Sequence, residues 1–484
     1  MPNFTVTGTS AIAQTLAAGE LGLITEAGTL MTSVTTVTLG NATLLNNGFL
    51  GSTSNAILSN DFNAVITNFG EIVSTGGSGD AISNSGFAGA SATIFLTNYG
   101  SITAGGSGNH ALELVTGGLR FVNTGTISSM SGATLALSDQ NAGTTGYRIV
   151  NSGSIVAGPI VVYAIDIIND DGDTISNQGY IFGDIGTSAG ADIVRNSGRI
   201  DGQVALGSDN DIFFGRGGAV DEGVAGGTGD DLFYIDGDGT EIFENAASGN
   251  DTVRSGGDYT MADGIEDLIL VGGTRGTGND LSNTINGNAT ANLLDGAAGN
   301  DTINALGGDD TVVGGAGNDS ILGDTGADRL SGGTGADSLN GGDGGDWLAG
   351  EEGADRILGF AGSDTLIGGA AGDQLYGGVN AADTFIYLTT QDSFGAVNTT
   401  RDRIMDFESG LDVIDLSAID ANVASAPDNA FARVGAFTGV AGQLIFRVVG
   451  ANGFVEGDVN GDGTADFSIQ LVGVTAILAT DLIL

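Results

Sequence analysis

The chain has 484 residues, with 59 acidic side chains against 13 basic ones, a formal charge of −46, 87 glycines, 3 prolines and no cysteine. That charge repels nucleic acid and anionic membranes, and the missing cysteine excludes disulfides and thiolate metal sites. Collagen would need more proline and a three-residue glycine period, and disorder is disfavoured because the 41% of hydrophobic residues recur in short β-branched runs. A repetitive all-β architecture is expected instead. No apolar run reaches the ~18 residues that span a bilayer. No Lys or Arg precedes Arg120, so no basic n-region of a secretory leader is present and the export address is expected elsewhere.

Residues 1–206 are rich in Thr, Ser, Asn, Gly and aliphatics. An Asn-x-Gly motif recurs at Asn46, Asn68, Asn98, Asn123, Asn151, Asn177 and Asn196, with spacings of 22, 30, 25, 28, 26 and 19 residues. One turn per unit of this length suits a coil of a parallel β-solenoid. Asparagine tolerates the left-handed conformation of turns, and stacked coils could pair the amides. An extra copy at Asn84-Ser85-Gly86 is out of step. The runs Thr93–Leu96 and Arg148–Val150 read as strands. The alternative is a β-sandwich with Asn-Gly turns.

Candidates for chemistry in this part are sparse. His110 is the single histidine of the chain, and in its turn-like setting a surface role competes with a catalytic one. Asp166 with Asp170, Asp171 and Asp173 reads as a solvated turn, the alternative being a catalytic or metal site. No His-Glu-x-x-His, Gly-x-Ser-x-Gly or phosphate-cradling Gly-Lys-Ser/Thr pattern occurs.

Residues 207–295 carry broken copies of a glycine-aspartate unit. Gly226–Tyr234 offers Asp231 as a metal ligand, Ala246–Arg254 offers Asp251, and Arg275–Asn283 offers Asp280. Gly207–Phe213 is a shortened variant. Insertions between the copies are expected to prevent regular stacking.

The unit becomes regular in residues 296–380. Gly296 to Tyr376 divides into nine nine-residue units. The sixth place is always aspartate: Asp301, Asp310, Asp319, Asp328, Asp337, Asp346, Asp355, Asp364 and Asp373. The eighth place is always aliphatic, from Ile303 to Leu375. Glycines let six residues turn through φ > 0, the turn aims carbonyls and a carboxylate at one point as Ca²⁺ requires, and the last three residues form a strand with one inward side chain. A flexible glycine-rich linker would not hold this phase. Two units make an 18-residue coil, so Asp301 stacks on Asp319 and so on to Asp355 on Asp373, seven pairs in all. Ala305 and Ala371 break the glycine pattern, and Ala297, Leu306, Asp324, Glu351 and Phe360 stand at the second place, where different backbone angles or weaker calcium binding are expected. The unit resembles the RTX nonapeptide of calcium-loaded parallel β-rolls. Several Ca²⁺ ions are therefore the expected cofactor, and the roll is expected to be largely unfolded at cytosolic calcium and to fold outside the cell.

In residues 381–484 the period stops. Arg401–Phe407, Leu411–Ser417, Glu456–Gly463 and the final Asp481–Leu484 resemble the module that follows RTX repeats in serralysin-type secreted proteases. The resemblance implies a β-rich cap and an uncleaved signal read by type I secretion machinery. It does not extend to a protease, because the zinc motif is absent. Asp458, Asn460, Asp462 and Asp466 have the oxygen spacing of an EF-like calcium loop, but Ile469 stands where the glutamate belongs, and an acidic hairpin turn competes equally.

The expected fold is all-β: a parallel β-solenoid continuing into a calcium-bound parallel β-roll, with a β-rich cap. The expected function is a secreted, non-enzymatic structural protein that self-associates into a polymer or lattice at the cell surface. A carbohydrate-active lyase or epimerase using His110, Arg120 or Arg148 is the alternative. An adhesin recognising a cell-surface glycan lies between them.

Overall fold

A β-branched or leucine residue at every second position of a short strand can bury one face, and stacking strands in register buries a continuous file of them. The computed structural model describes residues 4–10, 12–17, 20–32, 37–39, 42–59, 63–76, 79–84, 93–115, 117–138, 146–159, 162–245, 249–394, 400–422 and 429–484. Ser85 and Gly86 of the extra Asn-x-Gly copy, and Ala246 to Ser248, lie outside the described residues. The chain folds as two compact units, Met1–Arg254 and Ser255–Leu484.

The first unit is a parallel solenoid with three strands to a coil, not a sandwich. Each coil visits three sheets in turn, as Thr93–Asn98, Ser101–Ala104 and Leu112–Leu114 do. Strand pairs are parallel throughout, for example Leu96 opposite Phe121 and Ile102 opposite Ile127. The inward file of one sheet runs Leu44, Ile66, Leu96, Phe121, Ile149, Ile175, Val194, Phe213, Phe233, each at most 1% exposed. Each such side chain contributes about 1.5–3 kcal/mol by leaving water.

The recurring asparagines end the strands of that sheet. They are extended strand residues, not left-handed turn residues. Their buried amides form a ladder: Nδ2 of Asn46 donates to Oδ1 of Asn68 at 2.7 Å. The same bond links Asn68 to Asn98, Asn98 to Asn123, Asn123 to Asn151, Asn151 to Asn177 and Asn177 to Asn196 at 2.8–2.9 Å. The following glycine is needed for close approach. A Cβ on Gly125 would lie 2.0 Å from the Gly100 carbonyl oxygen.

The second unit has two strands to a coil. One sheet contains Thr302–Leu306, Ser320–Thr325, Ser338–Asp343, Arg356–Ala361 and Gln374–Gly378, and the facing one Thr311–Ala316, Arg329–Thr334, Trp347–Glu352 and Thr365–Ala370. Ile321, Leu339 and Ile357 fill one side of the interior, and Leu330, Leu348 and Leu366 the other. Beyond this run, Arg403–Ile404 and Val413–Asp415 add further parallel strands. Gln443–Val449, Asn452–Asp458 and Phe467–Leu471 form antiparallel pairs that complete the cap.

The second-place residues do take other angles, though within the same positive-φ turn. Ala297, Leu306, Asp324, Glu351 and Phe360 all take φ between 73° and 77°, the same side of φ as Gly315 at 111°. The coil imposes the turn, and each side chain there carries left-handed strain of about 1–2 kcal/mol.

Candidate metal centre

The nonapeptide aspartates stand two residues before the inward aliphatic, so stacking brings them into files on the inner side of the turns. In one file the backbone N–H of Asp301 donates to Oδ1 of Asp319, Asp319 to Asp337 and Asp337 to Asp355, each at 2.8 Å. Asp355 donates in the same way to Asp373. The other file runs Asp310, Asp328, Asp346, Asp364 with the same 2.8 Å contacts. All seven expected pairs form.

One oxygen of each carboxylate is spent on this ladder. The other, Oδ2, is buried without a hydrogen bond at Asp301, Asp310, Asp319, Asp328, Asp337, Asp346, Asp355, Asp364 and Asp373. Leaving a buried anion unpaired is costly. Burial pushes Asp301, Asp355, Asp364 and Asp373 up to about 7 and Asp310 and Asp346 up to about 6, and like-charged neighbours add to it. The coil has thus gathered carboxylate oxygens with no positive partner among the described residues.

Hard oxygens converge beside the first-place glycines. The place of a Cβ on Gly332 lies 2.3 Å from Asp337 Oδ2 and 2.9 Å from the Gly350 carbonyl oxygen; on Gly314 the distances are 2.4 Å to Asp319 Oδ2 and 2.6 Å to the Gly332 oxygen. First-place glycine therefore leaves a cradle shared by a carboxylate and a carbonyl of the next coil, an all-oxygen donor set of the kind Ca²⁺ takes.

Both files extend past the periodic run. Asp373 donates to Asp402 at 2.9 Å, Asp364 to Asp383 at 2.9 Å and Asp383 to Asp412 at 3.1 Å. At the other end, Asn283 and Asn292 occupy the file positions and donate to Asp301 and Asp310 at 2.7 and 2.6 Å. Asp280 is not in a file: it is exposed on the turn, and Asn283 takes the place expected of it.

The first unit has a file of its own. Asp173 donates to Asp192 at 2.6 Å, Asp192 to Asp211 at 2.7 Å, and Asp211 to Asp231 and Asp231 to Asp251 at 2.8 Å. The broken copies thus stack despite their insertions, at spacings of 19 or 20 residues instead of 18. Asp173 is buried, contrary to the solvated turn expected of its cluster, and burial pushes it up to about 7 and Asp192 to about 8. Glu244 joins this file by accepting the Gly226 N–H at 2.7 Å.

The EF-like loop is a hairpin turn whose oxygens serve its own backbone. Asp458 accepts from Gly461 and Gly463, Asp466 from Val459, and Asn460 from Asp462, at 2.7–2.9 Å.

A different surface lies on the first unit. Arg195 sits 4.7 Å above the ring of Phe214, which stacks on Tyr234 at 4.6 Å, with Arg216 5.9 Å from the latter. With Ser176 and Gln178 these residues line a groove of about 480 Å³.

Residues 283–484 match the family described as the peptidase M10 serralysin C terminal. Over 102 residues the chain is 41% identical to the metalloprotease AprA of Pseudomonas entomophila (strain L48), a stretch covering 21% of this chain and 20% of that protein. The chain thus spans about a fifth of that relative's length. Similar solved structures include the AlgE6R2 subunit of the Azotobacter vinelandii mannuronan C5-epimerase, with 27% identity, 32% of this chain and 91% of that one covered, and a TM-score of 0.25. The extracellular lipase LipA of Serratia marcescens is similar at 14% identity over 49% of this chain and 45% of its own, with a TM-score of 0.21. The family match and the aspartate files make this C-terminal region an RTX-type β-roll. Such a roll implies calcium binding, and a serralysin C-terminal region points to secretion from the cell.

Proposed function

We propose that the chain is a secreted, non-enzymatic structural protein, exported by type I machinery, stiffened by Ca²⁺ and self-associating at the cell surface. The observation that supports this reading is the run of buried carboxylate oxygens without a hydrogen bond along both files, from Asp301 to Asp373, which a cation between successive coils would satisfy. Parallel coil stacks can associate head to tail through strand edges, a contact that propagates when it does not close. The regular calcium cradles support stiffness, since each ion ties one coil to the next.

Electron microscopy of the full chain with and without millimolar Ca²⁺ tests this. Ordered polymers only with calcium are expected, and monodisperse monomers in both conditions would overturn it. A second reading, binding of an acidic glycan, is favoured by the Arg195, Arg216, Phe214 and Tyr234 groove. Guanidinium groups suit carboxylates, and among the described residues neither arginine is paired with an acid. Retention of the chain on immobilised polyuronate, lost in an Arg195→Ala/Arg216→Ala double variant, distinguishes it from assembly.

A further inference from the structure

The first unit brings together three side chains that the calcium files do not use. Asp80 and His110 each stand two residues before an inward residue of the same sheet, Ile82 and Leu112, which pair in consecutive coils. Stacking therefore puts them one above the other. The His110 backbone N–H donates to Asp80 Oδ1 at 2.7 Å, and the imidazole Nδ1 lies 3.4 Å from that same oxygen. Glu113 follows on the strand His110 leads into, opposite Ser83, whose hydroxyl is 3.4 Å from Glu113 Oε2. One ligand atom from each of Asp80, His110 and Glu113 falls within 4.8 Å of the others.

We propose that Asp80, His110 and Glu113 bind a first-row divalent transition ion of the Zn²⁺, Co²⁺ or Mn²⁺ class. The donor set is one imidazole and two carboxylates, which suits these borderline ions, whereas Ca²⁺ takes oxygen alone. Three protein ligands leave further positions for water or a substrate oxygen.

A plain Asp80–His110 ion pair is the competing account, and the geometry fits it less well. A charge-assisted N–H···O bond closes to about 2.7–2.9 Å, but this contact stays at 3.4 Å, and His110 Nδ1 is buried without a hydrogen bond. An ion pair alone also gives no reason for Glu113 to approach Asp80; a proton shared between the two carboxyls or a cation between them does. A dication between the three groups accounts for both facts.

The surroundings hold the ring and the charge in place. A Cβ on Gly132 of the next coil would meet His110 Cδ2 at 2.9 Å, so that glycine lets the coil close over the imidazole. On the outer rank of the sheet, Glu113 pairs with Ala136, and Ala136 with Asp166. Asp166 adds negative potential two strands away, past a side chain of minimal bulk.

Because His110 is the chain's single histidine, one imidazole reports on the site. The test is titration of the full chain with Co²⁺ under saturating Ca²⁺, followed by visible absorption and by the imidazole proton resonances. One equivalent of Co²⁺ is expected to bind, to shift the His110 resonances by hyperfine contact and to be displaced by Zn²⁺. Glu113→Gln, which keeps the shape of the side chain, is expected to weaken binding at least ~10-fold, since even outer-shell partners are worth that much. Unshifted His110 resonances in the wild-type protein at saturating Co²⁺ would overturn the proposal without reference to any variant. So would Co²⁺ binding that Glu113→Gln leaves unchanged.

Discussion

Replacing Asp337 separates its two oxygens. Oδ1 accepts the Asp319 N–H at 2.8 Å, while Oδ2 is buried, free of hydrogen bonds and aimed at the cradle of Gly332 and Gly350. Asp337→Asn keeps its Oδ1 as the acceptor for the ladder and replaces the candidate ligand oxygen Oδ2 with an amide NH₂, which cannot bind a cation. Asp337→Ala removes both. An ion held at a hundred times its Kd stabilises the fold by about 2.7 kcal/mol, so Asp337→Asn should lose roughly that much at saturating Ca²⁺. Asp337→Ala should lose a further ~1–3 kcal/mol, because the buried Asp319 N–H is left without a partner. Denaturant unfolding at saturating Ca²⁺, followed by circular dichroism, measures both differences. If Asp337→Asn is as stable as the wild type there, Oδ2 is not a ligand and the reasoning about the files fails. If the two variants are equally destabilised, the ladder hydrogen bond contributes nothing.

Three further outcomes follow from the same structure. Asn123→Ala breaks the amide ladder between Asn98 and Asn151 and leaves buried polar atoms unpaired; it should cost about 2–4 kcal/mol and lower hydrogen-exchange protection of residues 118–129 and 148–151 with calcium still present. Phe360→Gly relieves a left-handed residue whose side chain is half exposed, and a gain of about 0.5–1 kcal/mol in denaturant stability is expected after glycine's own entropy cost. In the calcium-free coil, burial raises the file carboxyls above their unfolded value, so their protonated forms favour folding. That contribution is full below about pH 4 and fades as pH rises through the values of about 6 and 7 at Asp310 and Asp355. With calcium chelated, circular dichroism should therefore show more folded roll at pH 5 than at pH 8, and a spectrum that does not change between the two would contradict the shifts.

The nonapeptide run was legible because aspartate and aliphatic residues keep one phase from Asp301 to Leu375, and the solenoid because Asn-x-Gly marks seven successive coils, from Asn46 to Asn196. What stayed hidden lay outside a fixed period. Asp383, Asp402 and Asp412 continue the files across spacings of 19 and 29 residues, which no nine-residue ruler detects. A signal independent of phase was present: an acid or amide two residues before an inward apolar side chain. Asp402 precedes Ile404 in this way, Asp412 precedes Ile414, Asp192 precedes Val194 and Asn283 precedes Ile285. Asp280 fails that test, since Ser282 follows it, although its glycines match the repeat. The same offset relates Asp80 to Ile82 and His110 to Leu112, but the 30 residues between them concealed that they stack. The asparagine ladder was foreseeable as amide pairing, whereas its extended backbone depended on where each strand ends.

Residue-resolved hydrogen exchange of the full chain, with saturating Ca²⁺ and then with chelator, tests the calcium-dependent fold most directly. Strong protection of the backbone amides of residues 301–383 that collapses on chelation is the predicted result. Protection of those amides that survives complete removal of calcium would contradict it.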